Sequence, residues 1–253
     1  MKVSIITACY NRSATIATAI KSVFAQDYPD IEYILVDGAS IDGSQKVIED
    51  TLTETPKNVI VKYISEPDHG MYEAINKGIK MATGDVIALC HSDDCIYDEH
   101  VVSDFVKVFE TSNADFIYAD GVFVQGEKLI RIWKSGQYSQ RKVRNGWLPL
   151  HPTCYIKKAL FDRLGFYDES YKIAADTDLL VRYLLRDDVK VAYLSNRNAV
   201  KMSMGGLSTD SAKRKKVWDE DVKVYSSNGF RFPTITKMKK VIRKIPQFIL
   251  AKI

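Results

Sequence analysis

The sequence lacks the cysteine motifs that define small metal or redox sites. Its four cysteines are Cys9, Cys90, Cys95 and Cys154, and no two of them have CxxC spacing. This excludes a zinc ribbon and a thioredoxin-like redox motif. Cys9 and Cys90 lie in apolar runs, where free cysteine behaves as a small hydrophobic residue. We therefore expect reduced thiols, as in a cytoplasmic protein.

Long hydrophobic runs are absent as well. No apolar stretch approaches the ~20 residues that a membrane-spanning helix needs. The first residues, MKVSIITACYN, become polar too early for a signal peptide. The sequence therefore predicts a protein that is soluble or lies on a membrane surface.

Two common phosphate-binding loops are also missing. There is no GxGxxG, which weighs against a dehydrogenase. The stretch GASIDGS, residues 38–44, has a spacing similar to a P-loop but no lysine before the hydroxyl, and Asp42 would repel a phosphate. A nucleotide triphosphatase is therefore disfavoured. If a diphosphate binds to this chain, another group, such as a divalent cation, must neutralise it.

The first half of the sequence alternates strand and helix patterns. Residues 3–8 form a continuous apolar, β-branched run, which is typical of a strand buried on both faces. Ile16, Ile20 and Val23 then follow at helical spacing. The βαβαβαβα order continues to about residue 109 and predicts an α/β fold: a Rossmann-like three-layer αβα sandwich with a mostly parallel central sheet.

The pattern changes after Asp115. The segments DFIYAD, GVFVQ and KLIRIW are predicted as three short strands separated by turn residues. Residues 157–164 and 178–186 have helical patterns, and residues 189–194 have a strand pattern. No linker composition separates this part from the first half, so we expect two halves of one domain.

Polar residues follow each of the first four predicted strands. The carboxyl ends of parallel strands meet at one edge of the sheet, where ligands bind. Four strands that all end in this way predict a shared cleft. The residues are Tyr10-Asn11-Arg12, Asp37-Gly38, Glu66-Pro67-Asp68-His69-Gly70 and Ser92-Asp93-Asp94.

These and further segments resemble the inverting glycosyltransferases of family 2, which have the nucleotide-sugar-binding GT-A fold. The similar segments are VSIITACYN, ILVDGASIDGS, SEPDHGMYEAINKGIKMATGD, ALCHSDD, HPTCYIKKALFDRLGFYDES, AADTDLLVR and MGGLST. They cover roughly residues 3–210 in the family's order, and the resemblance is strongest to bacterial members that build surface polysaccharides such as O-antigen or capsule. The QxxRW motif of processive synthases is absent, which indicates one sugar per event.

The resemblance implies that Asp93 and Asp94 are the family's metal-binding element. Asp94 would coordinate Mn²⁺ or Mg²⁺, and Asp93 would contact the ribose or share the metal. Carboxylates suit these hard cations, which also take phosphate oxygens as ligands. The alternative is a strand-end turn in which Asp94 caps the next helix. Some relatives add a late histidine to the metal, but residues 201–206 contain none, and Lys201 is a candidate to replace part of the charge.

The resemblance also implies a donor pocket and an acceptor side. Asp37 and Asp68 would accept hydrogen bonds from a uracil-like base, although Asp-Gly at 37–38 is also a common turn. The other residues expected at the donor are Thr7, Tyr10, Asn11, Arg12 and Lys77, the last being either a phosphate contact or part of a solvated helix face.

The general base is expected at Asp176, where it would deprotonate the acceptor hydroxyl in one inverting displacement. Asp178 would cap or orient the following helix, but the sequence leaves open that the two carboxylates exchange roles or that Asp176 is a helix cap. Trp147, His151 and Asp178 are expected on the acceptor side, with packing favoured for Trp147.

The expected domain spans residues 1–230, with a nucleotide-binding half, 1–120, and an acceptor-binding half, 121–230. The remaining residues, 231–253, form a basic tail with seven Lys or Arg and no acidic residue. On a helical wheel its apolar residues share one face, and Pro246 should kink or end the helix. Such a helix suits an anionic membrane surface, while the alternative is that its apolar stripe packs on the domain.

The sequence thus predicts a cytoplasmic, metal-dependent glycosyltransferase. It would move one sugar from a nucleotide diphosphate donor, preferably UDP-linked, to a lipid-linked or saccharide acceptor. The alternatives are a nucleotidyltransferase, which usually has a glycine-rich basic loop that ACYNRSAT lacks, and a nucleotide-sugar-binding protein with a degenerate site. Nucleic-acid binding is disfavoured. Only the basic run at 213–216 and the tail suggest it, and the main body has no basic face with interleaved aromatic residues.

Overall fold

A computed structural model of the chain describes residues 1–126, 128–203, 214–244 and 247. The MGGLST segment, Pro246 and the last residues of the tail lie outside the described residues. Predictions that depend on them are not addressed by the structure.

One mixed sheet forms the centre of the described part of the chain. Its order is β3-β2-β1-β4-β8-β6-β9-β5, with β7 paired to β6. The strands are β1 Val3–Cys9, β2 Ile31–Asp37, β3 Val59–Ser65, β4 Val86–Leu89, β5 Cys95–Ile96, β6 Phe116–Gln125, β7 Lys128–Trp133, β8 Tyr155–Lys157 and β9 Val191–Ser203.

Helices cover both faces of this sheet. They are α1 Ile16–Phe24, α2 Ser44–Leu52, α3 Met71–Met81, α4 Val101–Thr111, α5 Gln140–Arg144, α6 Lys158–Leu164, α7 Ala175–Leu184, α8 Arg214–Ser227 and α9 Pro233–Ile242, with a 3₁₀ turn at His151–Thr153. The helix α7 begins three residues before the segment predicted as helical, so both Asp176 and Asp178 lie in its first turn.

The first half forms as its sequence pattern predicts. Strands β1, β2, β3 and β4 pair in parallel, and the apolar run of β1 lies between β2 and β4. Alternate residues of β1 point to opposite sides, so Ile5 packs in one buried cluster with α1 and α4 while Ile6 packs in another with α3 and α7. A strand covered on both faces is apolar throughout, which explains the continuous run. The three-layer α/β prediction is confirmed.

The second half differs from its prediction in one element. DFIYAD and GVFVQ form a single strand, β6, which passes through Gly121. A side chain at Gly121 would meet Leu150 and Val200, since a Cβ would lie 2.6 Å from Leu150 Cδ2. Glycine therefore permits a close approach in the strand instead of marking a turn. The proposed boundary at residue 120 falls inside β6, so the two predicted halves share this strand.

The first part of the predicted tail is helix α9, which contacts α8. Lys237 is 5% exposed and forms an ion pair with the buried Asp221, which also pairs with Lys240 at 2.9 Å. Met238 and Val241, in contrast, are 50% and 44% exposed. The packing alternative placed the apolar stripe against the domain, and for the described residues of α9 the structure shows the opposite orientation. No described helix is both long and apolar enough to cross a bilayer.

Candidate active site

A cleft of about 590 Å³ opens at the carboxyl ends of β1 and β4. One side carries Asp93, Asp94 and Asp176, which we call the carboxylate floor. The cleft is also lined by basic residues from β7, α9 and the turn after α9. We call this second surface the basic wall, and it consists of Arg131, Lys237, Lys240, Arg243 and Lys244.

Asp93 and Asp94 lie directly after β4, where the chain leaves the sheet. Asp94 is 3% exposed, and its Oδ1 accepts a hydrogen bond from the backbone N–H of Ser203 at 3.0 Å. Among the described residues, the half-buried carboxylate of Asp93 has no hydrogen-bond or ion-pair partner. The helix α4 starts at Val101 without a side-chain cap, so the alternative in which Asp94 caps that helix is wrong.

The electrostatics of this pair favour a cation. Burial, and then the charge of Asp93, raise the pKa of Asp94 to about 7. A buried carboxylate resists ionisation when nothing compensates its charge, and the adjacent carboxylate adds repulsion. A divalent cation would compensate both charges.

The residues fit a metal ion whose coordination is completed by the substrate. No group of three or more His, Cys, Asp or Glu side chains suited to a metal occurs among the described residues. Magnesium is commonly held by one or two carboxylates together with substrate phosphates and water. Asp93 and Asp94 supply that kind of incomplete ligand set. Lys201, the candidate for replacing part of the charge, has its ammonium over the Tyr97 ring at 4.9 Å.

Asp176 lies in the first turn of α7 and faces the cleft. Its Oδ1 accepts a hydrogen bond from the backbone N–H of Thr177 at 2.7 Å. The N-cap residue of this helix is Ala174, so the reading of Asp176 as the helix cap is wrong. The helix start favours a negative charge at this position. The half-buried carboxylate thus combines access to the cleft with a fixed orientation, as a general base requires.

Asp178 has a different environment. It is 5% exposed, its Oδ2 accepts from Arg182 Nε at 2.7 Å, and its Oδ1 accepts from Asn228 at 3.1 Å. It does not line the cleft. Asp178 therefore ties α7 to α8, and this geometry favours Asp176 over Asp178 as the base.

Two aromatic residues predicted on the acceptor side do line the cleft. His151 is buried, bonds through Nε2 to the Tyr167 hydroxyl at 2.8 Å, and has its pKa lowered to about 4 by burial. It is therefore neutral near pH 7 and does not neutralise the nearby Asp176. Trp147 donates from Nε1 to Ser135 O at 2.8 Å and packs against Tyr118. These contacts match the expected packing role of Trp147.

The donor residues predicted after β2 and β3 are not among the residues that line the cleft. Asp37 is fully buried, where Ser40 N–H and the hydroxyls of Ser40 and Ser65 donate to it. Asp68 is half-buried and lies over Gly38, since a Cβ on Gly38 would be 2.5 Å from Asp68 Oδ2. Burial raises the pKa of Asp68. Asp68 is thus open to a ligand, while Asp37 holds the turn.

The residues after β1 lie between these donor residues and the cleft. Tyr10 is exposed, and its ring approaches Gly38. Asn11 has a left-handed backbone, φ 51°, and its Oδ1 accepts from Ile41 N–H at 3.0 Å. Arg12 lines the cleft. Asn11 therefore orders the loop after β2, and Arg12 is the cation of this group that faces the cleft.

Two further predicted residues lie elsewhere. Thr7 is fully buried, and its hydroxyl donates to Cys90 O at 2.6 Å, which ties β1 to the chain after β4. Lys77 forms ion pairs with Glu66 at 2.9 Å and Glu73 at 3.1 Å on the surface of α3. Neither side chain lines the cleft.

The basic wall was not predicted. Its residues come from segments separated by more than 100 positions, and the tail lysines were expected to face solvent or lipid. One signal was available: an arginine occupies position 131 within the apolar strand KLIRIW. In the structure its guanidinium lies over the Phe123 and Trp133 rings, at 4.7 and 4.6 Å from their centroids.

The sequence matches the model of glycosyl transferase family 2 over residues 4–169. A PGL/p-HBAD biosynthesis glycosyltransferase of Mycobacterium tuberculosis is 25% identical over 208 residues, or 81% of this chain and 78% of that protein. An uncharacterized glycosyltransferase of Nostoc sp. is 37% identical over 113 residues. That match covers 45% of this chain and only 34% of the Nostoc protein.

Solved structures are similar in fold. S. aureus TarS in complex with UDP-GlcNAc has a TM-score of 0.69 at 18% identity, covering 98% of this chain and 72% of that one. The mannosyltransferase PcManGT from Pyrobaculum calidifontis, in complex with GDP-Man and Mn²⁺, has a TM-score of 0.67 at 15% identity, covering 99% and 73%. These similarities show a GT-A-like fold.

The family match covers more than half of the chain and includes the strand ends that carry Asp37, Asp68, Asp93 and Asp94. It decides against the nucleotidyltransferase and the non-enzymatic binding protein. The chain therefore belongs to glycosyltransferase family 2 and is an enzyme that transfers glycosyl groups.

Proposed function

We propose that this enzyme is an inverting, metal-dependent glycosyltransferase that adds one sugar per event. The donor is a nucleotide diphosphate sugar, preferably UDP-linked, and the acceptor is a saccharide or a lipid-linked saccharide in cell-surface polysaccharide synthesis. The observation that carries the proposal is the carboxylate floor, in which Asp94 and Asp176 line one cleft from two different elements.

The residues of the floor would divide the chemistry between them. Asp93 and Asp94 would hold Mn²⁺ or Mg²⁺, which supplies compensation for the charge of the leaving diphosphate. Asp176 would accept the proton of the acceptor hydroxyl while that oxygen attacks the anomeric carbon. The bond from the anomeric carbon to the phosphate oxygen breaks as the new bond forms, so the configuration inverts and a single base is sufficient.

The donor's base would lie beside the cleft. Asp68 is positioned over Gly38 with Tyr10 next to it. A carboxylate that accepts hydrogen bonds from a ring N–H, together with an exposed aromatic ring, suits a uracil base. Structural neighbours that carry UDP-GlcNAc or GDP-Man are consistent with a nucleotide sugar at this fold's strand ends.

The test is a donor screen with the full chain. UDP- and GDP-sugars are incubated with Mn²⁺, with Mg²⁺ or with a chelator, and release of the nucleoside diphosphate is measured. We expect release from a UDP-sugar that the chelator abolishes and added Mn²⁺ restores. Undiminished release in the chelator would contradict the metal role. Once an acceptor is found, proton NMR of the product's anomeric centre should show inverted configuration.

We further propose that α9 attaches the enzyme to an anionic membrane surface. Its outward side carries Ile235, Met238, Val241 and Ile242, each between 44% and 59% exposed. A shallow surface beside α9 includes Arg144, Arg231 and Lys239, so cations border the apolar side. An apolar helix face bordered by cations suits insertion among anionic headgroups.

Vesicle co-sedimentation tests this attachment. The full chain should sediment with anionic vesicles, and Met238→Glu combined with Val241→Glu should remove it. The matched control is Ile60→Glu, which changes an equally exposed isoleucine on the strand β3, away from α9. Equal sedimentation of the three proteins would overturn the proposal. Removal of the whole helix is not a suitable test, because α9 also supplies Lys237 and Lys240 to the cleft.

A further inference from the structure

The backbone just before α7 is held by a carboxylate that belongs to another helix. Glu220 lies in α8 and is half-buried. Its carboxylate accepts hydrogen bonds from the backbone N–H groups of Lys172 at 3.2 Å, Ile173 at 2.8 Å and Ala174 at 3.0 Å. Hydrogen bonds to a charged acceptor are roughly twice as strong as those between neutral groups. One side chain of α8 therefore fixes three consecutive backbone groups.

These contacts replace a cap that the start of α7 lacks. The N-cap residue is Ala174, whose methyl side chain cannot accept a hydrogen bond. In a capping box, a glutamate of the same helix reaches back and accepts from the N-cap N–H. Glu220 accepts from that N–H across the gap between two helices, and its negative charge suits the positive end of α7. The local sequence of α7 thus depends on α8 for its capping.

The segment that Glu220 holds leads directly to Asp176. Ile173, Ala174 and Asp176 all line the cleft. On the other side of the segment, the Tyr72 hydroxyl of α3 donates to Ile173 O at 2.6 Å. The backbone before α7 is therefore held from both α3 and α8. A different path through this segment would rotate the first turn of α7 and move the Asp176 carboxylate within the cleft.

A second contact between α7 and α8 has no such connection to the cleft. Asn228 of α8 donates to Asp178 Oδ1 at 3.1 Å, and neither residue lines the cleft. Glu220 does not line the cleft either, but all three of its backbone donors immediately precede the turn that carries Asp176. Glu220 can therefore influence the chemistry through the position of Asp176 and not by touching a substrate.

We propose that Glu220 is a positioning residue, which fixes the backbone of residues 172–174 and thereby places Asp176 for proton transfer. This inference rests on the proposed function, in which Asp176 is the general base. The family match ends at residue 169, so Glu220 lies beyond the part of the chain that the family model covers. The helix α8 is thus part of the apparatus that orients the base.

The first test measures whether Glu220 holds the segment. Amide hydrogen exchange of residues 172–174 is compared in the full chain and its variants. Exchange should be faster in Glu220→Ala and intermediate in Glu220→Gln, whose amide oxygen still accepts hydrogen bonds. The control is Asp219→Ala, which removes the exposed neighbouring carboxylate of α8 and should exchange as wild type does. Equal exchange in wild type and Glu220→Ala would contradict the proposal.

The second test measures the effect on the base. Release of UDP from UDP-glucose, UDP-galactose and UDP-N-acetylglucosamine is followed with Mn²⁺, and water serves as the acceptor. Glu220→Ala should lower kcat roughly 10- to 100-fold, because misplacing a reacting group by about 1 Å can cost about 10²-fold. KM and UDP affinity should stay unchanged, Glu220→Gln should recover part of kcat, and Asp219→Ala should match wild type. An unchanged kcat, or a loss confined to KM, would overturn the positioning role.

A double variant separates positioning from a general loss of stability. If Glu220 acts through Asp176, Glu220→Ala combined with Asp176→Asn should be no slower than Asp176→Asn alone. Losses that multiply would mean that Glu220 acts elsewhere, against the proposal. The single variants distinguish this inference from the proposed function. Full activity of Asp176→Asn contradicts the base itself, whereas a slow Asp176→Asn beside a fully active Glu220→Ala contradicts only the positioning role.

Discussion

The carboxylate floor and the basic wall line the same cleft, but they are built in different ways. Asp93, Asp94 and Asp176 occur where a strand ends or a helix begins, so backbone topology places them. The basic wall instead combines side chains of β7 and α9, and the ion pairs of Asp221 hold α9 on α8. The floor therefore follows from local sequence, whereas the wall requires tertiary packing.

The largest expected effect comes from the floor. Asp94→Ala should lower transfer about 10⁴-fold, because cation stabilisation of a leaving group contributes several kcal/mol and each 1.36 kcal/mol is a factor of ten. Transfer is measured as donor turnover with saturating Mn²⁺. The control, Asp162→Ala, removes an exposed carboxylate of α6 and should retain activity. A similar loss in both variants would point to a general charge effect and against the metal site.

The next effect separates the two carboxylates of α7. Asp176→Asn should lower transfer about 10³-fold, within the range for loss of a general base, while UDP affinity stays unchanged. Asp178→Asn should keep transfer and lower the free energy of unfolding, because Arg182 loses its buried partner. Steady-state kinetics and urea unfolding of both variants decide the assignment. An inactive Asp178→Asn beside an active Asp176→Asn would reverse it.

A third prediction breaks the basic wall. Asp221→Asn leaves Lys237 and Lys240 without a carboxylate, so the free energy of unfolding should fall by about 3–5 kcal/mol. Asp50→Asn removes the exposed ion pair with Lys46 and should cost less than about 1 kcal/mol. Urea unfolding at pH 7 measures both. Equal losses would show that the wall does not depend on its buried ion pairs.

The ion pairs of Asp221 with Lys237 and Lys240 also predict that the free energy of unfolding depends on pH. Burial opposes ionisation of Asp221, but the charges of Lys240 and Lys237 prevail and lower its pKa to about 2. A folded-state pKa below the unfolded value of about 3.9 means that the ionised form stabilises the fold. The stability difference between wild type and Asp221→Asn should be constant above about pH 5 and decrease as the pH falls from 4 to 2. A difference that is constant down to pH 2 would contradict this linkage.

The sequence could predict the parallel half of the fold and the floor for the same reason. A strand buried on both faces is apolar along its whole length, so the residues where it ends stand out, as Asp93 and Asp94 do after ALC. Gly121 shows where this reasoning fails. Glycine inside DFIYADGVFVQ looks like a turn, but it permits contact with Leu150 and Val200, which no local pattern contains.

The orientation of α9 could not be predicted from its helical wheel. The wheel separates apolar from basic residues correctly, but the side that faces the protein depends on Asp221, which lies 16 residues before Lys237. Similarly, Asp37 and Asp68 were equivalent candidates in the sequence. The structure distinguishes them, because three donors occupy the buried Asp37 while Asp68 is half-buried and bonded to Gly70 N–H.

The smallest expected effect concerns the contact between Gly38 and Asp68, which lies outside the carboxylate floor. Gly38→Ala would place a Cβ 2.5 Å from Asp68 Oδ2 and push that carboxylate from its position beside Tyr10. UDP affinity should fall about tenfold, the loss of one hydrogen bond to a charged group. Asp68→Asn removes the charge without the clash and should weaken UDP to a similar degree. Calorimetry with UDP and Mn²⁺ measures both variants, and the double variant should be no weaker than either one, since both changes act on the same contact. Additive losses in the double variant would mean that Gly38 and Asp68 act separately and that Asp68 is not the contact that the glycine permits.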